Sequence, residues 1–81
     1  MTSQVATLQA RARELCRDEL WDSAALLGSF MLSASGRAVS EGRLPASGPG
    51  SHLESMVIFA TILKGKGETR RAIKYFEQAL Q

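Results

Sequence analysis

One stretch limits the possible folds of this 81-residue chain more than any other. Leu53–Gln81 reads LESMVIFATILKGKGETRRAIKYFEQALQ. Met56, Phe59, Ala60 and Leu63 fall at i, i+3, i+4 and i+7, which lays one apolar stripe along a helix. Gly65 to Gly67 mark a turn. Ala72, Ile73, Tyr75, Phe76, Ala79 and Leu80 then repeat the same kind of spacing. The order of sizes matters as much as the period. Ala60 and Ala72 stand where two antiparallel helices approach closely. Phe59, Leu63 and Phe76 stand where the gap has to be filled. Residues 51–81 are therefore predicted to form a helical hairpin with Met56, Phe59, Ala60, Leu63, Ala72, Phe76 and Ala79 as its core.

The ends of these helices are marked. Ser51 with Glu54 three residues later makes a capping box ahead of Met56. Lys64 and Lys66 sit near the carboxyl end of the first helix, where positive charge is favoured. The GKG triplet is not a phosphate loop, because the longer glycine spacing, the following Ser or Thr and a preceding strand are missing.

Upstream, Thr2 or Ser3 is expected to cap a helix running to about Cys16. Its stripe is Val5, Leu8, Ala12 and Leu15, and Arg11, Arg13, Glu14 and Arg17 take the wet face, with Glu14 and Arg17 placed to pair. A break falls near Arg17 to Glu19, where Asp18, Glu19 and Asp22 are expected as caps and solvated charge. A second helix is predicted from about Leu20 to Ser35. Aligned on Ala24 and Ala72, residues 1–35 are a degenerate version of the later hairpin. Leu8 matches Met56, Ala12 matches Ala60, and Leu15 matches Leu63. Arg11 stands at the place of Phe59, Gly28 at that of Phe76, and Met31 at that of Ala79.

This second helix holds an anomaly. At about 100° per residue, Asp22, Ser29 and Ser33 define its polar side. Leu26 and Phe30 lie on or beside that side, where the later hairpin has Lys74 and Gln78. Leu26 and Phe30, with Trp21 nearby, are the candidate protein-interface residues. Gly28 in mid-helix is unfavourable by about 1 kcal/mol relative to Ala; it either permits a close helix crossing or is simply tolerated.

Residues 36–50 are dominated by Gly, Ser and Pro, and Pro45 and Pro49 block a continuous helix. They read as a linker longer than most helix–helix connections, into which the second helix can extend by a turn or two. Eighty-one residues allow one small domain. The expectation is a fragment, a short isoform or a chain completed by a partner, since single helical repeats cannot cover their own apolar faces.

The net charge of +2 is too balanced to point to nucleic acid or an anionic membrane. A single cysteine excludes an internal disulfide and fits a reducing compartment. No signal peptide is visible, and the longest apolar runs are too short to span a bilayer. Cys16 and His52 are the only candidates for a nucleophile and base, and nothing in the sequence holds them together. Cys16 reads as an interior or half-buried residue and His52 as an exposed first-turn residue. One Cys and one His suggest no zinc site. No cofactor, metal or small-molecule substrate is expected, and the reading is non-enzymatic. Arg70 and Arg71 open the last helix as plain surface charge.

The placement of Met56, Phe59, Ala60, Leu63, Gly67, Ala72, Phe76 and Ala79 resembles the signature of the tetratricopeptide repeat (TPR) family. The resemblance implies an all-α fold of two antiparallel hairpins joined by a linker. The groove positions then hold Gln9, Arg13, Val57 and Thr61, which departs from the Lys and Asn pattern of carboxylate-clamp TPR domains. Glu19–Ser35, ELWDSAALLGSFMLSAS, further resembles the amino-terminal hairpin of the subunit-seven family of TPR proteins in the anaphase-promoting complex. Leu20, Trp21, Asp22, Ser23, Ala24, Leu27, Gly28, Phe30 and Leu32 carry that match, and Glu19 stands where that family's turn has glycine. The resemblance implies a scaffold subunit of a ubiquitin ligase acting in cell division, in the nucleus or cytoplasm. It also implies homodimerisation through the amino-terminal repeats and other TPR subunits as partners. The alternative is a peptide-binding TPR adaptor whose concave groove, on the helix of residues 51–64, is lined by Met56, Phe59 and Leu63.

Overall fold

A computed structural model describes residues 4–44 and 50–80. The expected caps Thr2 and Ser3 and the prolines Pro45 and Pro49 lie outside the described residues. The fold is all-α, with four helices among the described residues: α1 (Gln4–Arg17), α2 (Trp21–Ser40), α3 (His52–Gly65) and α4 (Thr69–Ala79). Among the described residues α3 packs on α1, α2 and α4, whereas α4 packs on α3 alone.

Three of the four helices stop in the same way. The second residue after the helix turns to positive φ and two backbone N–H groups fold back on the last turn, so that orphan carbonyls are satisfied. After α3, Gly67 (φ 87°) donates to Lys64 O at 3.0 Å and Glu68 donates to Leu63 O at 2.8 Å. After α2, Gly42 (φ 73°) and Arg43 do the same onto Val39 and Ala38. After α1 the left-handed position is taken by Glu19 (φ 57°), with Leu20 donating to Leu15 O at 2.9 Å. A side chain there is strained relative to glycine.

The starts differ. Ser51 caps α3, its Oγ accepting from the Glu54 N–H at 3.3 Å. The Glu54 carboxylate accepts from the Gly50 N–H, one residue upstream of the reciprocal bond that a capping box calls for. No side chain caps α2, whose N-cap is Leu20. The acidic residues at that turn therefore do not act as its caps, and Asp18, Glu19 and Asp22 are exposed.

The core holds Ala12, Ala24, Met31, Ile58, Phe59, Ile62, Leu63 and Ala72. Two of these depart from the expected stripe. Ile58 and Ile62 are buried along with Ser55, while Met56 is only half-buried. The cause is the central place of α3, which has to be apolar on two sides. The second helix also runs past the expected Ser35. Met31, Ser35 and Ala38 keep its inner face buried, so residues 36–40 of the expected linker are helical. Glu14 pairs with Arg11 at 3.9 Å rather than with Arg17.

Two glycines let α2 and α3 approach. A Cβ on Gly28 would sit 2.5 Å from Phe59 Cδ1, and a Cβ on Gly65 would sit 2.5 Å from the Trp21 ring. Each helix thus lends a glycine to the other's aromatic side chain. Phe59 is held from the far side as well, its ring edge-on to Tyr75 at 5.1 Å. One side chain of α3 therefore ties α2 to α4.

Candidate interaction site

The inner face of α2 follows from Ala24, Gly28, Met31, Ser35 and Ala38, all buried. Counting about 100° per residue from Ala24 puts Leu26 and Phe30 on the far side. Their exposures are 67% and 63%. Both sit in mid-helix, away from any end that could fray. Between them on this face is Ser29, whose Oγ donates to Ala25 O at 3.2 Å. Ser33 is exposed beyond them. Phe30 leans over the seam with α1, where Gln4, Thr7, Leu8 and Ala34 form an open cleft of ≈ 440 Å³. Asp22 and Arg37 lie on the same side, one toward each end of α2. The same helical count shows them, but they were not among the candidate interface residues.

Trp21 is elsewhere. It is half-buried against Gly65 of α3 and lines the cleft at the α1–α2 turn with Glu19, Leu20 and Lys66. It is about 140° around the helix from Leu26 and about 180° from Phe30, so proximity in sequence did not become proximity in space.

Of the expected hairpin core, Phe59, Ala60, Leu63, Ala72 and Ala79 are buried, while Met56 and Phe76 are half-buried. This corrects the expected groove. Phe59 at 4% and Leu63 at 1% exposure cannot meet a peptide. The cleft that does open between α1 and α3 is lined by Arg13, Cys16, Glu54, Val57, Ile58 and Thr61, with a volume of ≈ 250 Å³. Arg13 and Glu54 form an ion pair across it. Gln9, expected to line a groove, is buried and donates to Ser51 O at 2.9 Å and Ser55 Oγ at 2.8 Å. It pins α1 to the start of α3.

His52 also departs from expectation. It is half-buried, and its Nδ1 lies 2.6 Å from Ser35 Oγ. Burial holds its pKa below the ordinary 6.5. Ser35 is fully buried, so this pair is a strut between α2 and α3. Cys16 is half-buried and faces the α1–α3 cleft, so the structure does not bring it to His52; burial pushes its thiol pKa up. Among the described residues no group of three metal-ligating side chains converges, and no helix is long and apolar enough to cross a membrane.

No protein family, curated protein or solved structure was found to match the chain.

Proposed function

We propose that this chain is a non-enzymatic helical scaffold module that assembles with protein partners through the outer face of α2. The observation that carries the reading is the exposure of Leu26 and Phe30, two large apolar side chains in mid-helix. Large apolar side chains exposed together one turn apart suit an interaction surface, and aromatic side chains, Phe included, are enriched at interfaces. On this reading the module is a self-associating subunit of an assembly such as the anaphase-promoting complex, a proposal supported by the TPR-like size pattern and the resemblance of Glu19–Ser35 to the subunit-seven family.

Sedimentation across a concentration series tests it. The wild-type chain is expected to move from 8.8 kDa toward twice that mass. Leu26→Glu with Phe30→Glu is expected to remain monomeric with unchanged helicity. Dimers that persist in this variant sink the proposal. A second reading, peptide capture in the α1–α3 cleft, draws on the exposed Val57 and Thr61 beside Ile58. It expects a monomer that gains mass only when peptide is added, and a loss of that binding in Val57→Glu.

A further inference from the structure

The internal repeat that sets Ala24 on Ala72 also carries a filled helix seat onto an open one. The filled seat holds α3. On α2 its floor includes Trp21, Gly28 and Gly36, which face Gly65, Phe59 and His52. Ala25 and Leu32 lie on the same side of α2 and pack against the core. On α1 its wall is Gln9, which bonds to Ser51 and Ser55. At its rim Asp22 meets Lys66 at 3.6 Å.

The same places on the second hairpin are open. Ala25, Gly28 and Leu32 correspond to Ile73, Phe76 and Leu80, and Gln9 corresponds to Val57. Ile73 is 49%, Leu80 88% and Val57 36% exposed, and Phe76 is half-buried. Among the described residues α4 packs on α3 alone. From this we infer that the seam of α3 and α4 receives an amphipathic helix of a different protein, lying as α3 lies on the first hairpin. This goes beyond the α2 surface above and uses neither Leu26 nor Phe30.

Three differences between the seats specify the occupant. Gly28 makes room for Phe59, whereas Phe76 fills the matching place, so the occupant needs a small residue where α3 has Phe59. Arg70 stands at the place of Asp22 and makes no ion pair among the described residues. The occupant therefore needs a carboxylate where α3 has Lys66. Val57 stands at the place of Gln9, so an apolar residue is needed where α3 has Ser55. The α3 helix of a second copy fails this specification twice, with a clash at Phe59 and like charges at Lys66. A seam also suits a helix, whereas a bilayer takes up a protruding apolar face.

Peptide titration against the full chain, read by fluorescence anisotropy, tests the specification. The probe is a synthetic peptide of residues 51–66 carrying Ser55→Leu, Phe59→Ala and Lys66→Glu, stapled away from these positions to hold it helical. It is expected to bind, and restoring Phe59 should weaken it about tenfold or more. Arg70→Glu in the protein should weaken it about fivefold in low salt, and a probe that keeps Lys66 should recover that loss. Ile73→Glu with Leu80→Glu should abolish binding. Both sites are exposed, and helicity measured alongside shows that the variant is folded. Leu26→Glu with Phe30→Glu should bind the probe as wild type does, whatever becomes of the scaffold reading. No binding of the probe, or equal binding of the unaltered peptide, overturns the proposal. Binding that survives Ile73→Glu with Leu80→Glu puts the peptide elsewhere, the α1–α3 cleft included, and overturns the seat. Self-association lost in that variant would make a second copy the occupant, and binding to phosphatidylserine vesicles lost in it would make the occupant a bilayer. Either result overturns the foreign helix.

Discussion

The two hairpins put the same places to different uses. Ala12 and Ala60 are both fully buried, as are Ala24 and Ala72 to within 2%, and Met31 and Ala79 to within 8%. The pairs diverge where neighbours differ. Phe59 is 4% exposed because α2 and α4 flank it, while the matching Arg11 is exposed because no described helix lies beyond α1. Gly28 is buried where Phe76 is half-buried, since Gly28 has to receive the Phe59 ring. On the solvent side the order reverses. The carboxy-terminal hairpin shows Lys74 and Gln78, and the amino-terminal one shows Leu26 and Phe30 at the same places. At these two matched places the carboxy-terminal hairpin is polar and the amino-terminal one apolar, while the carboxy-terminal half exposes Val57, Ile73 and Leu80 elsewhere.

The sharpest way to break this comparison is to truncate the matching pair. Phe59→Ala should cost about 3–5 kcal/mol, because it empties the space between α2 and α4. In a chain this small that is most of the folding free energy, and urea denaturation followed by circular dichroism should show an unfolded or barely folded chain. Arg11→Ala should shift stability by less than about 0.5 kcal/mol. Equal effects would mean that the two positions are not distinguished by their neighbours.

The next largest effect separates two glycines of α2. Gly28→Ala drives a Cβ to 2.5 Å from the Phe59 ring. Overpacking of about 1–3 kcal/mol should outweigh the helix gain of about 1 kcal/mol, giving a net loss. Gly36→Ala meets nothing nearer than His52 Cε1 at 3.6 Å and should gain up to about 1 kcal/mol. Opposite signs on one helix would tie the effect to the aromatic contact, and a stabilising Gly28→Ala would show that Phe59 has room to move.

A smaller effect concerns the helix stops. Glu19 occupies a left-handed position that Gly42 and Gly67 fill elsewhere. Glu19→Gly should raise stability by about 0.5–1 kcal/mol, seen as an increase of a few degrees in Tm. No change, or a decrease, would mean that the Glu19 side chain contributes more than its strain removes.

The smallest effect is a pH dependence confined to the α2–α3 strut. Burial disfavours protonated His52, so its folded pKa lies below the ordinary 6.5. Above pH 6.5 the ring is neutral in both states and full stability is present. As pH falls from 6.5 toward the lower folded value, the unfolded chain takes up a proton that the folded chain refuses, and stability declines. The denaturation midpoint should therefore drop between pH 7.5 and 5.5, and His52→Gln should flatten that drop. An unchanged slope in His52→Gln would assign the dependence to other groups.

Much of the helical layout was legible because it depends on near neighbours. Periodicity located all four helices, and Gly67 and Ser51 marked a stop and a start by local backbone chemistry. The phase of α2 was enough to put Leu26 and Phe30 toward water, since the inner face is set by Ala24, Gly28 and Met31 on the same helix. The same phase already sets Trp21 apart from Leu26 and Phe30; what could not be read is that it packs on Gly65, which is distant in sequence. His52, Gln9 and Ser35 could not be read for a similar reason. A polar side chain is buried only when a hydrogen-bond partner from another helix meets it.

By itself, then, the sequence determined which segments coil, where the carboxy-terminal hairpin starts and turns, and which side of α1 and α2 is apolar, because these follow from interactions within a turn or two. The tertiary structure alone decided that α3 is buried on two sides, that Phe59 and Trp21 each meet a glycine, and that the Ser35–His52 and Gln9–Ser55 bonds form. Those outcomes depend on which helix arrives as a neighbour, and a helix carries no local record of the surface it will meet.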